Sequence, residues 1–248
     1  MIEFLQETNM EGLKELALSL LYLDIQKTRF SPIVVSHPFT STGTTAQVIN
    51  GEIRMLNLVE SEEDLNTWRK GMTDIINETD KPYSLYFLIN KPYALAFVKF
   101  AIPYLSQKDF SSLLSDAWIR TEMPSNDSNF KPSEFIKLFK NADKESLMDA
   151  DELQQYNELP DTVSVYRGVK SDRPNKVLQL SWTLDPDKAE WFAKRFDEDG
   201  VVYEATIDKK NILALFSRRG EAEIIVDLDY LRDLAKYDIP SEDMSQLQ

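Results

Sequence analysis

Three short runs in the last third of the chain hold residues that can do chemistry together: Tyr166-Arg167-Gly168, Ser181-Trp182-Thr183 and Gly220-Glu221-Ala222-Glu223. A guanidinium grips phosphate oxygens in a bidentate fork. A fixed carboxylate stabilises the positive charge that develops on a sugar carbon when a glycosidic bond breaks. A second carboxylate nearby can take a proton as a general base. An arginine, a hydroxyl pair and two carboxylates are the parts of a site for an anionic, sugar-bearing ligand.

Each run adjoins a β-type pattern. Val163 to Tyr166 alternates, Val177 to Leu180 is mostly apolar, and Ile224 to Val226 is fully apolar. The three runs are therefore expected at strand ends. Gly168, Gly200 and Gly220 fall at the same ends, where unusual backbone angles or close ligand approach are expected. Between them, Asp185 to Phe196 reads as a helix, with Asp185 at its N-cap, Pro186 at its first position and Ala189, Phe192, Ala193 and Phe196 on one face. Val201 to Ile207 and Ile212 to Phe216 read as further strands, with a polar turn from Ser217 to Gly220.

The elements before Pro160 are mainly helical. Residues 10–29 carry an apolar stripe of Leu13, Leu16, Ala17, Leu20, Leu21 and Ile25. Ser31 to Gly51 is turn-rich, and Glu52 to Val59 reads as a strand. Ser61 opens a helix with acidic residues in its first turn. Thr79-Asp80-Lys81-Pro82 is a breaker cluster and the expected boundary. Ser84 to Ile89 is strand-like, Asn90 and Ser106 open two helices, and Pro132 to Lys140 and Asp143 to Tyr156 read as two more.

Composition narrows the function classes. The chain has 248 residues, 42% hydrophobic and 11% aromatic, enough for a sizeable core. The formal net charge of −14 argues against nucleic acid or anionic lipid as a general partner. The acidity is even: residues 1–156 carry 23 acidic and 15 basic side chains, and residues 157–248 carry 19 and 13. Absence of cysteine removes disulfides and thiolate metal sites and fits a reducing compartment. No apolar run reaches the roughly 18 residues of a membrane-spanning helix. The N-terminus lacks the positive flank and apolar core of a signal peptide. The expectation is a soluble, cytoplasmic protein.

Arg167 on one strand, Ser181-x-Thr183 on the next, and Glu221-x-Glu223 opening a later strand resemble the mono-ADP-ribosyltransferases of the arginine–serine–glutamate type. The run Ala189-Glu190-Trp191-Phe192-Ala193 is similar to the helix at that place in the family. The direct match covers residues 160–228. The resemblance implies an α+β protein with an ADP-ribosyltransferase-like domain over residues 81–248, helices first and then a strand-rich half around an NAD cleft. Residues 1–80 would form an N-terminal α+β region. It implies NAD as substrate, no metal, transfer of ADP-ribose to a target protein, arginine foremost, and release of nicotinamide. By the same resemblance Glu223 stabilises the ribose cation, Glu221 serves the acceptor, and Arg167 holds phosphate or ribose. Gly168 lets its backbone approach the nicotinamide amide, Ser181 orients Glu223, and Thr183 braces the site. Phe192 is counted with the NAD-binding residues, although it suits a core position better. Arg218 and Arg219 lie in the loop that meets the acceptor. The family's habits suggest a phage or bacterial effector in a bacterial cytoplasm. The family usually has Ser-Thr-Ser where this chain has Ser181-Trp182-Thr183, so Trp182 is expected to point away from the hydroxyls.

Taken singly, each residue has a plainer reading. Arg167 suits a surface ion pair, and Glu221 and Glu223 suit a solvated strand edge. Arg218 and Arg219 suit a solvated turn. His37, the only histidine, reads as a loop residue in Ser36-His37-Pro38. Asp149-Ala150-Asp151-Glu152 lacks the glycine and spacing of a calcium loop and reads as a helix face. Rival functions on the same residues are an NAD glycohydrolase, with water as acceptor, and a catalytically degenerate binding or structural module.

Overall fold

The computed structural model describes residues 2–171, 174–195, 199–218 and 220–237. Helices and antiparallel strands are segregated along the chain, an α+β arrangement. The chain divides into two compact units, residues 1–124 and 125–248. The boundary expected at residues 80/81 therefore falls inside the first unit. Among the described residues no helix is long and apolar enough to cross a membrane.

The first unit opens with helix α1 (Met10–Leu21), capped by the Asn9 side chain at the Gly12 amide. Leu13, Ala17 and Leu21 are buried on its inner face. The helix stops eight residues short of the expected end. Tyr22 and Leu23 are exposed, so the apolar stripe gives out there. Arg69 Nη2 donates to the Leu23 carbonyl at 2.9 Å, just beyond the helix end. Strand β1 (Gln26–Lys27) pairs with β2 (Val34–His37), and β2 with β3 (Thr40–Thr42), in a three-stranded sheet. Strands β4 (Thr44–Ile49) and β5 (Glu52–Asn57) form a separate hairpin. The Ser- and Thr-rich stretch expected as turns is thus mostly strand, because β-branched threonines suit a pleated edge as well as a turn.

Helix α2 (Glu62–Glu78) begins at Ser61 as expected, its hydroxyl accepting the Asp64 amide at 3.2 Å. Helix α3 (Pro82–Phe87) replaces an expected strand. A six-residue apolar run has no decisive period. Packing of α3 against α1 and against helix α5, described next, settles it, with Leu85 and Tyr86 fully buried. Helices α4 (Ala94–Ala101) and α5 (Gln107–Arg120) complete the unit, α5 capped by Ser106. Phe97, Phe110, Leu113, Leu114 and Trp118 are buried.

The second unit starts with helices α6 (Pro132–Asn141), α7 (Lys144–Leu147) and α8 (Ala150–Glu158). The expected single helix from Asp143 is broken, because Asp143 and Asp149 each cap a separate one. A six-stranded antiparallel sheet follows in the order β11-β8-β6-β7-β10-β9. Its strands are β6 (Thr162–Lys170), β7 (Ser181–Thr183), β8 (Gly200–Asp208), β9 (Ile212–Phe216), β10 (Glu223–Val226) and β11 (Arg232–Lys236). Helix α9 (Pro186–Lys194) lies on β6 and β8. Asp185 caps it and Pro186 opens it, as expected. Phe196 and Arg219 lie outside the described residues.

Two details of this sheet differ from expectation. Tyr166-Arg167-Gly168 lies inside β6, which continues to Lys170, and not at a strand end. Val177 to Leu180 is irregular, and the Ser-Trp-Thr run itself is the strand. Leu178 is exposed, so the apolar run does not bury as a strand.

Candidate functional site

The central strand of the site is β7. Thr183 pairs with Tyr166 of β6 on one side and with Glu223 of β10 on the other. Ser181 pairs with Ile225, and Trp182 with Ile224. Directly paired residues stand on one face of a sheet, and neighbours along a strand alternate. Thr183, Ser181 and Glu223 therefore share a face, while Trp182 is buried on the other, pointing away from the hydroxyls.

Register alone would put Arg167 on the face of Trp182. The guanidinium is nevertheless anchored at β7. Its Nη1 donates to the Ser181 carbonyl, and its Nε donates to the Lys176 carbonyl at 3.1 Å. Strands β6 and β7 share the single pair Tyr166–Thr183; the Ser181 bond ties the two strands beyond it, and the Lys176 bond holds the turn that precedes β7. Burial pulls the Arg167 pKa down to about 10, and the nearby Glu223 carboxylate partly opposes that shift. At neutral pH the group stays a cation, held in the field of Glu223.

Glu223 is buried. Glu221 is half-buried and precedes β10, so strand alternation does not fix its direction. Ala222 between them has a φ of 43°, a left-handed conformation uncommon for a residue with a Cβ. Two bonds hold this turn. The Thr183 hydroxyl donates to the Glu221 carbonyl at 2.7 Å, and the Leu184 amide donates to the Ala222 carbonyl at 3.1 Å. Thr183 thus holds the carboxylate-bearing segment through its main chain. No hydrogen bond joins Ser181 to Glu223 among the described residues, so the orienting role expected of Ser181 has no direct bond behind it here.

Gly168 has a different role from the expected one. A Cβ there would collide with the Ala189 carbonyl oxygen and lie 2.6 Å from the Ala193 nitrogen. The missing side chain lets α9 seat on β6, and that flank is filled by helix. Gly200 does the same on β8, against the carbonyl end of Ala193. Phe192, on α9, packs edge-on against Trp191 with ring centres 5.0 Å apart.

Arg218 is not a solvated turn residue. Its Nε donates to Glu152 at 3.1 Å and lies 3.6 Å from Asp149. Glu152 is fully buried on α8, so the acidic run read as a helix face sends one carboxylate inward. The sequence does carry one signal: Asp149 and Glu152 form a capping box, with Glu152 Oε2 accepting the Asp149 amide at 3.0 Å. That pattern orients the side chain but says nothing about its burial.

The structure thus brings Arg167, Ser181, Thr183, Glu221 and Glu223 to one region of the sheet. That region holds a fixed cation, a buried carboxylate and a second carboxylate on a clamped turn. Among the described residues, no group of three or more histidines or carboxylates is placed to hold a metal ion. Compared with protein-family models, with curated proteins and with solved structures, the chain matches none.

Proposed function

We propose that the second unit has an ADP-ribosyltransferase-like fold, binds NAD, and transfers its ADP-ribose group to a protein side chain, with arginine the favoured acceptor. One observation carries the reading: three motifs far apart in sequence converge on β7, with the Arg167 guanidinium bonded at Ser181 and coupled to the Glu223 carboxylate. In the reaction the bond between nicotinamide and ribose breaks, and its electron pair leaves with nicotinamide. Glu223 offsets the positive charge that develops on the ribose. A nitrogen of the acceptor guanidine bonds to the ribose carbon, and Glu221 takes the proton it sheds. Arg167, still charged at neutral pH, supplies the counter-charge for the pyrophosphate.

A chain with net charge −14 suits a target protein with a basic docking face. The test is incubation with labelled NAD and a bacterial lysate, followed by mass spectrometry for ADP-ribose on arginine. Labelled arginine supports the reading. Release of nicotinamide without labelled protein points to the glycohydrolase. Release of none points to a binding or structural module. That last reading has its own observation: two donors of Arg167 are already spent on carbonyls of this chain.

A further inference from the structure

We propose that Glu152 of α8 is a positioning residue for Glu221, so that acceptor choice at the site is set from outside the sheet. The chemistry of this proposal rests on the reading above.

The fully buried Glu152 carboxylate uses both oxygens. Oε2 takes the Asp149 amide of its own capping box. Oε1 takes three donors from the segment that leads to β10: the Ser217 amide at 2.8 Å, the Arg218 amide at 3.3 Å and Arg218 Nε at 3.1 Å. Charged acceptors make the stronger hydrogen bonds, and here one oxygen gathers main chain and side chain of the same two residues. The Arg218 guanidinium also lies over the Phe216 ring, 5.8 Å from its centre.

From that anchor the chain makes a tight turn. The Gly220 amide donates to the Ser217 carbonyl at 2.7 Å, and Gly220 has a φ of 66°. Thr183 and Leu184 then hold the carbonyls of Glu221 and Ala222. The segment is thus clamped before the turn by α8 and after it by β7, with the strained Ala222 inside the second clamp. Glu221, the group that must meet the acceptor, sits on the part whose path both clamps define. Glu152 thus closes its own capping box with one oxygen and holds the loop that leads to Glu221 with the other.

The test uses the full chain, NAD and agmatine, a small guanidine acceptor. The variants are Glu152→Gln and Glu152→Met, both of which withdraw the charged acceptor from the Ser217 and Arg218 amides. In both, nicotinamide release should stay within about threefold of wild type while the fraction of ADP-ribose reaching agmatine falls about tenfold. Amide exchange at Ser217 and Arg218 should speed up, with the core of the sheet unchanged. An unchanged agmatine fraction in both variants would overturn the proposal. Wild-type protein that releases no nicotinamide removes the transferase reading and the acceptor role with it. Exchange then decides the anchor alone, which stands if protection at 217–218 is lost in Glu152→Gln and falls if it is kept.

Discussion

The two units handle polarity in opposite ways. Among the described residues, the buried polar side chains of the first unit are His37, Thr40, Ser106, Ser111 and Ser115, none of them a carboxylate. The second unit buries three carboxylates, Glu152, Glu223 and Asp227, and encloses the Arg167 guanidinium among carbonyls and Glu223. Among the described residues, large apolar side chains stand exposed mainly in the first unit. Val48, Ile53 and Met55 stand out on one face of the β4–β5 hairpin, with Phe30 and Ile33 exposed nearby in sequence. Burying a charge is costly unless it is paired and bonded, and such groups cluster at functional sites. Among the described residues, buried carboxylates are thus confined to residues 125–248, and the first unit is held by apolar packing.

The largest expected effect is at Glu223. Glu223→Gln should lower both nicotinamide release and labelling of protein by more than ~100-fold, the scale of losing a principal charge-stabilising group. Equal activity in that variant would break the contrast, since the buried carboxylate would then have no chemical role. Glu221→Gln separates the two reactions. Transfer to arginine should fall by at least ~100-fold while release of nicotinamide continues with water as acceptor, the signature of a general base for the acceptor. Undiminished arginine transfer would remove that role.

Next comes Gly168→Ala. Its Cβ meets the main chain of α9 and cannot be accommodated by a side-chain shift. Denaturant unfolding should show a loss of about 1–3 kcal/mol, the usual cost of overpacking. A silent substitution would mean that α9 does not seat as described.

A smaller effect sharpens the first unit's side of the comparison. Burial lowers the His37 pKa from its ordinary 6.5, and Arg69 adds to the shift against two opposing main-chain carbonyls. Nδ1 also accepts the Phe39 amide at 3.1 Å, which the neutral ring alone can do. The unfolded chain therefore takes the proton first as pH falls. His37 leaves stability intact above the ordinary histidine value and erodes it below. The melting temperature of the first unit should drop as pH falls below about 6.5, and His37→Gln should remove that part of the slope. The smallest effect is at Ile53, 77% exposed. Ile53→Thr should change unfolding free energy by no more than about 0.5 kcal/mol. A large loss would mean that the hairpin face is covered in solution.

What could be read in advance was local. The capping residues Ser61, Ser106 and Asp185 start helices where their side chains accept main-chain amides, and such bonds depend on a few adjacent residues. The order of the strands in sequence and the three polar runs were legible in the same way. Length and character were not legible wherever a neighbour decides them. The helix at 82–87 needed α1 and α5, and α1 ends where Tyr22 and Leu23 meet solvent. The strand at Ser181 needed Tyr166 and Glu223 on either side.

The same division holds at the site. Sequence supplied the residue types and their order, because chemistry requires particular side chains. The tertiary structure decided that Gly168 serves helix packing, that Arg218 is held by α8, and that a carboxylate from the acidic run read as a helix face lies at zero exposure, bonded to the loop. The physical reason is that burial belongs to the assembled fold. Whether a charged side chain meets water or a ring of donors depends on segments some sixty residues away, and no local pattern encodes that distance.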